Sequence, residues 1–414
     1  MNHPDAPDLA VPPLAPLPRL HLRAVTLTSA LGAGQAAHLQ ALRTRRSGVR
    51  RQQWETVDDL ITCIGEVAGV DDVRMPDGMQ PCDCRNNRLA LLALEQDGFG
   101  DAVRAAAQRV GADRVGVFLG TSTSGILSSE QAYRHRDPVT GALPPGLNYR
   151  QTHNSFSLAE FVRGHFGLGG TASVVSTACS SSAKVFGVAQ RMMACGLIDA
   201  AVVGGVDSLC LTTLYGFHSL QLLSDQPCKP FDTQRCGINI GEAGAFALLE
   251  RAENLAPGAI VLSGVGESSD AHHMSAPHPE GLGARMAMQA ALRMAGLQPG
   301  DIDYVALHGT ATPSNDAAES RAVSDLFGAQ VPCSSIKGHT GHTLGAAGAI
   351  NAVVGALALM HDLAPAGAGT DAVDPALNAR YLLQTLAQPM RHVLSNAFGF
   401  GGSNCSLVLS KVDA

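Results

Sequence analysis

An α/β fold built from two similar halves is predicted by three features of this 414-residue chain. Short, largely apolar runs alternate with helical stretches, the pattern of strands buried on both faces by crossing helices. The order strand, small-residue turn, buried helix occurs twice, dividing the chain near residue 258. Glycine is abundant, at 45 residues, while aromatic residues make up only 4%, which suits closely packed backbones and tight loops. Residues 1–21, rich in Pro and Ala, are expected to form a flexible tail. Residues 22–258 then form the first half and 259–414 the second.

The elements follow in order. Arg23-Ala-Val-Thr-Leu-Thr-Ser reads as a strand, followed by a helix over 35–43. Arg114-Val-Gly-Val-Phe-Leu-Gly, Ala172 to Thr177 and Ala200 to Gly204 are further buried strands. In the second half the strand Asp303-Tyr-Val-Ala-Leu runs into His308-Gly-Thr. Val331-Pro-Cys-Ser-Ser runs into Lys337-Gly-His-Thr-Gly-His342. Leu344 to Met360 is mostly Ala and Gly, is interrupted by Asn351 and is short for a membrane span, so it reads as a helix buried in protein.

Composition narrows the function. With 45% hydrophobic and 16% charged residues the chain can bury a sizeable core. A net charge of −7 gives no overall attraction for nucleic acid or anionic lipid. The N-terminus lacks the basic start and apolar core of a signal peptide. The ten cysteines are scattered, and Cys195, Cys210, Cys333 and Cys405 read as small buried hydrophobes, so a reduced, cytoplasmic protein is expected. Cys82 and Cys84 form a C-x-C pair without a second pair at zinc spacing.

Four motifs carry the chemistry. Thr177-Ala178-Cys179-Ser180-Ser181-Ser182 lies where a strand turns into a helix whose face is Val185, Val188, Ala189 and Met192. Cys179 at that helix N-terminus would be favoured as a thiolate nucleophile. His308-Gly-Thr-Ala-Thr-Pro follows a strand, where sites collect in α/β folds. Lys337 and His342 lie among glycines that allow close backbone approach. Ser395-Asn-Ala-Phe-Gly-Phe-Gly-Gly-Ser-Asn404 offers backbone amides able to hold an oxyanion, and lacks the strand-to-helix context of a dinucleotide fingerprint. A zinc site from His339 and His342, or from His272, His273 and His278, lacks the H-E-x-x-H pattern and paired cysteines.

Together these motifs resemble the β-ketoacyl–acyl carrier protein synthases of the thiolase-like fold, from about Leu22 to Leu409. The resemblance implies a five-layered αβαβα architecture. It implies Cys179 as the acyl-carrying nucleophile and His308 and His342 as the histidines of decarboxylation and condensation. Lys337 would be a support paired with Glu319. Phe398 would gate the acyl pocket beside Gly399, and the amides of Cys179 and Phe398 would form the oxyanion hole. Thr310 and Thr312 match contacts to the pantetheine arm. Ser275 lies in the loop that moves with the gate, and Phe400 belongs with the substrate contacts. No metal and no redox cofactor are implied. The implied partners are acyl carrier protein bearing acyl and malonyl groups, and a second synthase-like chain. That chain is either a copy of this one or a chain-length-factor-like homologue, docked through the Ala172–Thr177 strand.

Pro313-Ser-Asn-Asp, Gly241-Glu-Ala and Lys337-Gly depart from the usual Pro-x-Gly-Asp, Gly-Glu-Gly and Lys-Ser of fatty-acid synthases. Three stretches resemble the synthases of aryl polyene pigment clusters instead. They are Leu307-His-Gly-Thr-Ala-Thr, the strand through Phe118 with its Gly120-Thr-Ser-Thr-Ser-Gly turn, and Cys236-Gly-Ile-Asn-Ile-Gly. Two alternatives stand beside the condensing enzyme. One is a non-catalytic chain-length partner, which the presence of Cys179, both histidines and Lys337 opposes. The other is an acyltransferase or thioesterase using the same cysteine, which needs only one base where decarboxylation gains from two donors.

Overall fold

The computed structural model describes residues 17–53 and 60–413. Ten strands form two matching sets of five. The first set is β1 (Leu20–Ser29), β2 (Val115–Gly120), β3 (Ala172–Val175), β4 (Ala200–Asp207) and β5 (Ala243–Arg251), arranged β3-β2-β4-β5-β1. The second is β6 (Ile260–Ser269), β7 (Tyr304–Ala306), β8 (Pro332–Ser334), β9 (His392–Phe398) and β10 (Ser403–Lys411), arranged β8-β7-β9-β10-β6. Within each set the order is third, second, fourth, fifth, first. The pairing senses match as well. β2 is parallel to β3 and β4, and β5 runs antiparallel to β4 and β1. β7 is parallel to β8 and β9, and β10 runs antiparallel to β9 and β6. The sets join edge to edge where Leu20 and His21 pair with Leu262 and Val261.

Helices complete five layers. α1 (Arg85–Leu94), α2 (Phe99–Val110) and α3 (Ser157–His165) cover the outer face of the first set. α5 (Leu282–Ala295), with α6 (Pro313–Phe327) against it, covers the second. Between the sets lie α4 (Ser181–Ala194) and α7 (Ala347–His361), each touching strands of both and packed on one another. This explains the sequence patterns. β2 and β4 are buried at every residue, so their runs are apolar rather than alternating, save for Asp207 at the end of β4. α7 is buried from Ala347 to Leu359 and has no polar face because protein surrounds it. Leu344–His361 is long and apolar enough to cross a membrane, and 89% of it is buried inside the protein.

Some boundaries and burials differ from expectation. Residues 1–16 of the expected tail lie outside the described residues, and β1 already begins at Leu20, so the strand takes in the last two tail residues. Cys210, Cys333 and Cys405 are buried, but Cys195 is exposed: it caps the C-terminus of α4, where Gly196 turns the chain towards solvent with φ 70°. Among the described residues β3 pairs only with β2, and it is half-exposed along its whole length as the edge of the sheet.

Candidate active site

The motifs converge where the two sets of layers meet. Cys179 Sγ and one ring nitrogen each of His308 and His342 lie within 4.8 Å of one another. The imidazole rings meet edge to face, 5.4 Å apart at 82°, and Phe398 lies 5.9 Å from His308. Cys179, His308, His342 and Lys337 are each at most 5% exposed. They sit in or behind a pocket of about 610 Å³ that also meets Thr310, Thr312, Ser275, Gly399 and Phe400.

The nucleophile turn is strained. Ala178 has φ 51°, unusual for a residue with a Cβ, and it swings Cys179 out of line just before α4 begins. Cys179 was expected to be a thiolate, but burial raises its pKa to about 11. The nearby Lys337 charge and the amides of Phe400 and Cys179 pull the other way without winning. The Cys179 side chain is therefore a neutral thiol.

The Phe400 amide also corrects the expectation for Phe398. The amides of Cys179 and Phe400 are the two that act on the sulfur. Phe398 closes β9 and is buried among core side chains. Phe400 is only half-buried, and its ring lies 5.7 Å from that of Phe217. Both rings line the pocket, Phe398 more buried and against His308, Phe400 closer to solvent. Gly399 lets this loop lie directly on the cysteine turn, since a Cβ there would stand 2.7 Å from the Thr177 carbonyl oxygen.

The histidine loop is held by carboxylates. Glu319 Oε1 and Oε2 accept the His308 and Gly309 amides at 2.8 and 2.7 Å, and Asp316 Oδ1 accepts those of Thr310 and Ala311 at 2.9 and 3.2 Å. Four successive amides are thus gripped by two carboxylates one turn apart on α6. Burial raises the Glu319 pKa to about 7. Glu319 and Lys337 are in no direct ion-pair contact, because Glu319 is engaged by these amides and by Asn396 Nδ2 at 3.1 Å, although the Glu319 charge still acts on Lys337. Lys337 Nζ instead donates to the His308 carbonyl oxygen and stands 3.3 Å from His308 Nδ1. Burial lowers its pKa to about 8.

These contacts set both tautomers. Leu344 N–H donates to His342 Nδ1 at 3.0 Å, and the Lys337 ammonium faces His308 Nδ1. Each Nδ1 is an acceptor, so each proton resides on Nε2. Burial, reinforced by the Lys337 charge, holds both pKa values well below the usual histidine range, so both rings are neutral. The trio has a size that fits a metal ion, but its two imidazoles present Nε2–H donors rather than lone pairs. Coordination would set an Nδ1–H against Leu344 N–H in one ring and against Lys337 in the other. The arrangement instead suits an oxyanion or enolate.

Sequence reasoning missed Phe217, Asp316, Asp207 and Asn239. Asp316 stands in the motif after Pro313, and Asp207 is a lone carboxylate ending an apolar strand, which is a readable signal. Asn239 had none. The backbone of Asn239 accepts His342 N–H at 2.7 Å, and His342 in turn accepts Gly241 N–H at 2.9 Å, pinning this second-half residue onto the first half.

The comparisons agree with this geometry. The family model for the β-ketoacyl synthase N-terminal domain matches residues 31–254, and that for the C-terminal domain matches 259–371. The chain belongs to the β-ketoacyl synthase family, with a thiolase-like fold. It is 31% identical over 391 residues to the 3-oxoacyl-[acyl-carrier-protein] synthase 2 of Synechocystis, covering 90% of this chain and 93% of that protein. It is 38% identical over 278 residues to the mitochondrial 3-oxoacyl-[acyl-carrier-protein] synthase of Arabidopsis thaliana, covering 62% of this chain and 60% of that protein. A ketosynthase of Xenorhabdus doucetiae, solved in complex with its chain length factor, is 38% identical with a TM-score of 0.86, covering 95% of this chain and 98% of that one.

Proposed function

We propose that this enzyme joins acyl units by decarboxylative Claisen condensation, taking malonyl–acyl carrier protein as extender. The observation that carries the reading is two neutral Nε2–H imidazoles facing a buried thiol between two amides. In the first step the Cys179 sulfur attacks an acyl thioester. The carrier thiol leaves and takes up the thiol proton, so no charge is stranded in the buried site. In the second, the malonyl carbon–carboxylate bond breaks, carbon dioxide leaves, and the electron pair passes to the thioester oxygen. His308 and His342 donate to that oxygen. The enolate carbon then bonds to the Cys179 acyl carbon, whose oxygen rests on the Cys179 and Phe400 amides. The carbon–sulfur bond breaks, and the thiolate takes up a proton from solvent water. Two donors beside a nucleophile favour condensation over simple acyl transfer or thioester hydrolysis.

Further parts of this reading concern partners and place. Thr310, Thr312 and Ser275 at the pocket mouth suit a pantetheine arm, whose carrier protein brings both substrates. The half-exposed β3 edge suits a second synthase-like chain, and the Xenorhabdus relative, solved with a chain length factor, favours a heterodimer over a homodimer; the stretches that resemble aryl polyene synthases favour a polyene chain. The halves divide between Arg251 and Ile260. A cytoplasmic setting suits the free cysteines. The test is to incubate the protein with labelled acyl carrier protein and then malonyl carrier protein, with fatty and polyenoyl primers, following protein mass and product. Acyl mass on wild type but not on Cys179→Ala, followed by ketoacyl product and carbon dioxide, is expected. No attachment with any primer, even with a partner chain added, overturns the reading.

A further inference from the structure

Asp207 has no part in the chemistry above, yet it is fully buried at the end of β4, between the nucleophile and the second histidine. Its Oδ1 accepts Thr121 Oγ at 2.7 Å, Ser122 N at 2.7 Å, and Thr123 N and Oγ at 2.9 Å each. Its Oδ2 accepts the amide of Gly345. The Thr121–Thr123 turn follows β2 in the first half. Its Ser122 hydroxyl lies 3.5 Å from the carbonyl of Ala178, the strained residue before Cys179. Gly345 lies in the short turn of Leu344–Ala346, whose first residue donates to His342 Nδ1. A Cβ on Gly345 would stand 2.7 Å from Asp207 Oδ2 and from Ser122 Oγ, so turn and carboxylate fit only with glycine there.

We infer that Asp207 is a positioning residue, a buried clasp that fixes the His342 turn of the second half against the loop behind the Cys179 turn of the first. The inference rests on the condensation reading. A carboxylate suits the task because its two oxygens are acceptors only and can take donors from two loops at once. An amide in its place turns an acceptor into a donor, which would face backbone N–H groups. The clasp acts where separation matters: enolate carbon and acyl carbon must meet within a few ångströms, and a misplacement of about 1 Å costs roughly 100-fold in rate. It leaves the pocket mouth untouched, since none of the residues Asp207 holds lines the pocket.

The test compares wild type, Asp207→Asn, Gly345→Ala and the double variant, in the full chain with whatever partner the wild type needs. Thermal unfolding is recorded for each. Asp207→Asn is expected to lower condensation kcat ~10- to 100-fold while KM for malonyl carrier protein stays within about twofold. Gly345→Ala, wedging the same contact from the other side, should do likewise. The double variant should fall no more than about threefold below the poorer single one, because both break one clasp. A folded Asp207→Asn enzyme within about threefold of wild-type kcat overturns the inference. Losses that multiply in the double variant overturn it as well. If Asp207→Asn does not fold, Gly345→Ala alone decides, and unchanged kcat in it overturns the inference. A wild type that condenses nothing overturns the reaction reading itself, and the inference with it.

Discussion

The two halves share one topology but fill equivalent places differently. In each, the third strand leads to a central helix. In the first half residues 176–180 suffice, and they carry one strained residue and Cys179. In the second, residues 335–346 make the same passage, carrying Lys337, His342 and the turn that fixes the His342 tautomer. The loops after the second strands differ too. Residues 121–124 hold no reacting group and are gripped by Asp207, whereas residues 308–312 carry His308 and are gripped by Glu319 and Asp316. In the proposed reaction one half carries the electrophile and the other supplies donors. Burial serves both, keeping the thiol protonated and the imidazoles neutral, so that charge arises only during reaction and only where donors await it.

The sharpest break in this comparison is Cys179→Ala, expected to abolish acyl attachment and lower condensation ~10³-fold or more, read by intact mass and product. His308→Ala and His342→Ala should each lower malonyl decarboxylation ~10²- to 10⁴-fold while acyl attachment to Cys179 persists, which separates the two halves' tasks by half-reaction. If acyl attachment fails equally in the histidine variants, the division between halves is wrong. Glu319→Gln sets an amide NH₂ against one of the two backbone donors. It should cost ~1–3 kcal/mol of stability and lower kcat with KM little changed, checked by denaturant melts and steady-state rates.

Smaller effects appear in pH. His308 and His342 have folded pKa values below 6.5, so the unfolded chain binds more protons just below that pH. Their contribution to stability is complete above pH 6.5 and is lost as pH falls towards the folded values. Thermal midpoints should therefore drop between pH 7 and 5.5, and drop less in a His308→Asn variant. Cys179, held to about 11, should show an iodoacetamide rate still climbing past pH 9, measured against Cys179→Ala. A rate that levels off near pH 8 would mean that helix and amides outweigh burial after all.

Local patterns made much of this legible. Unbroken apolar runs marked β2 and β4, a helix without a polar face marked α7, and small residues beside Cys179, His308 and His342 marked the turns where strands end. The repeat foretold two halves because each unit is written out in consecutive residues. What the sequence could not decide depends on partners distant along the chain. The Glu319–Lys337 pair failed because four amides brought up by the fold occupy the carboxylates of α6. The amide beside the Cys179 sulfur is that of Phe400 rather than Phe398 because strand β9 runs on through Phe398 and the Gly399 N–H is taken by the Ser403 carbonyl oxygen. The thiolate became a thiol because desolvation is a property of everything packed around a group, while a helix dipole can be read from the turn before it. By itself, then, the sequence determined the fold class, the Cys179, His308 and His342 side chains that converge, and the places where strands release them. Tertiary structure alone decided their protonation, their tautomers and which amides face them, because each is set by the field and the hydrogen bonds of residues brought together only when both halves close on one site.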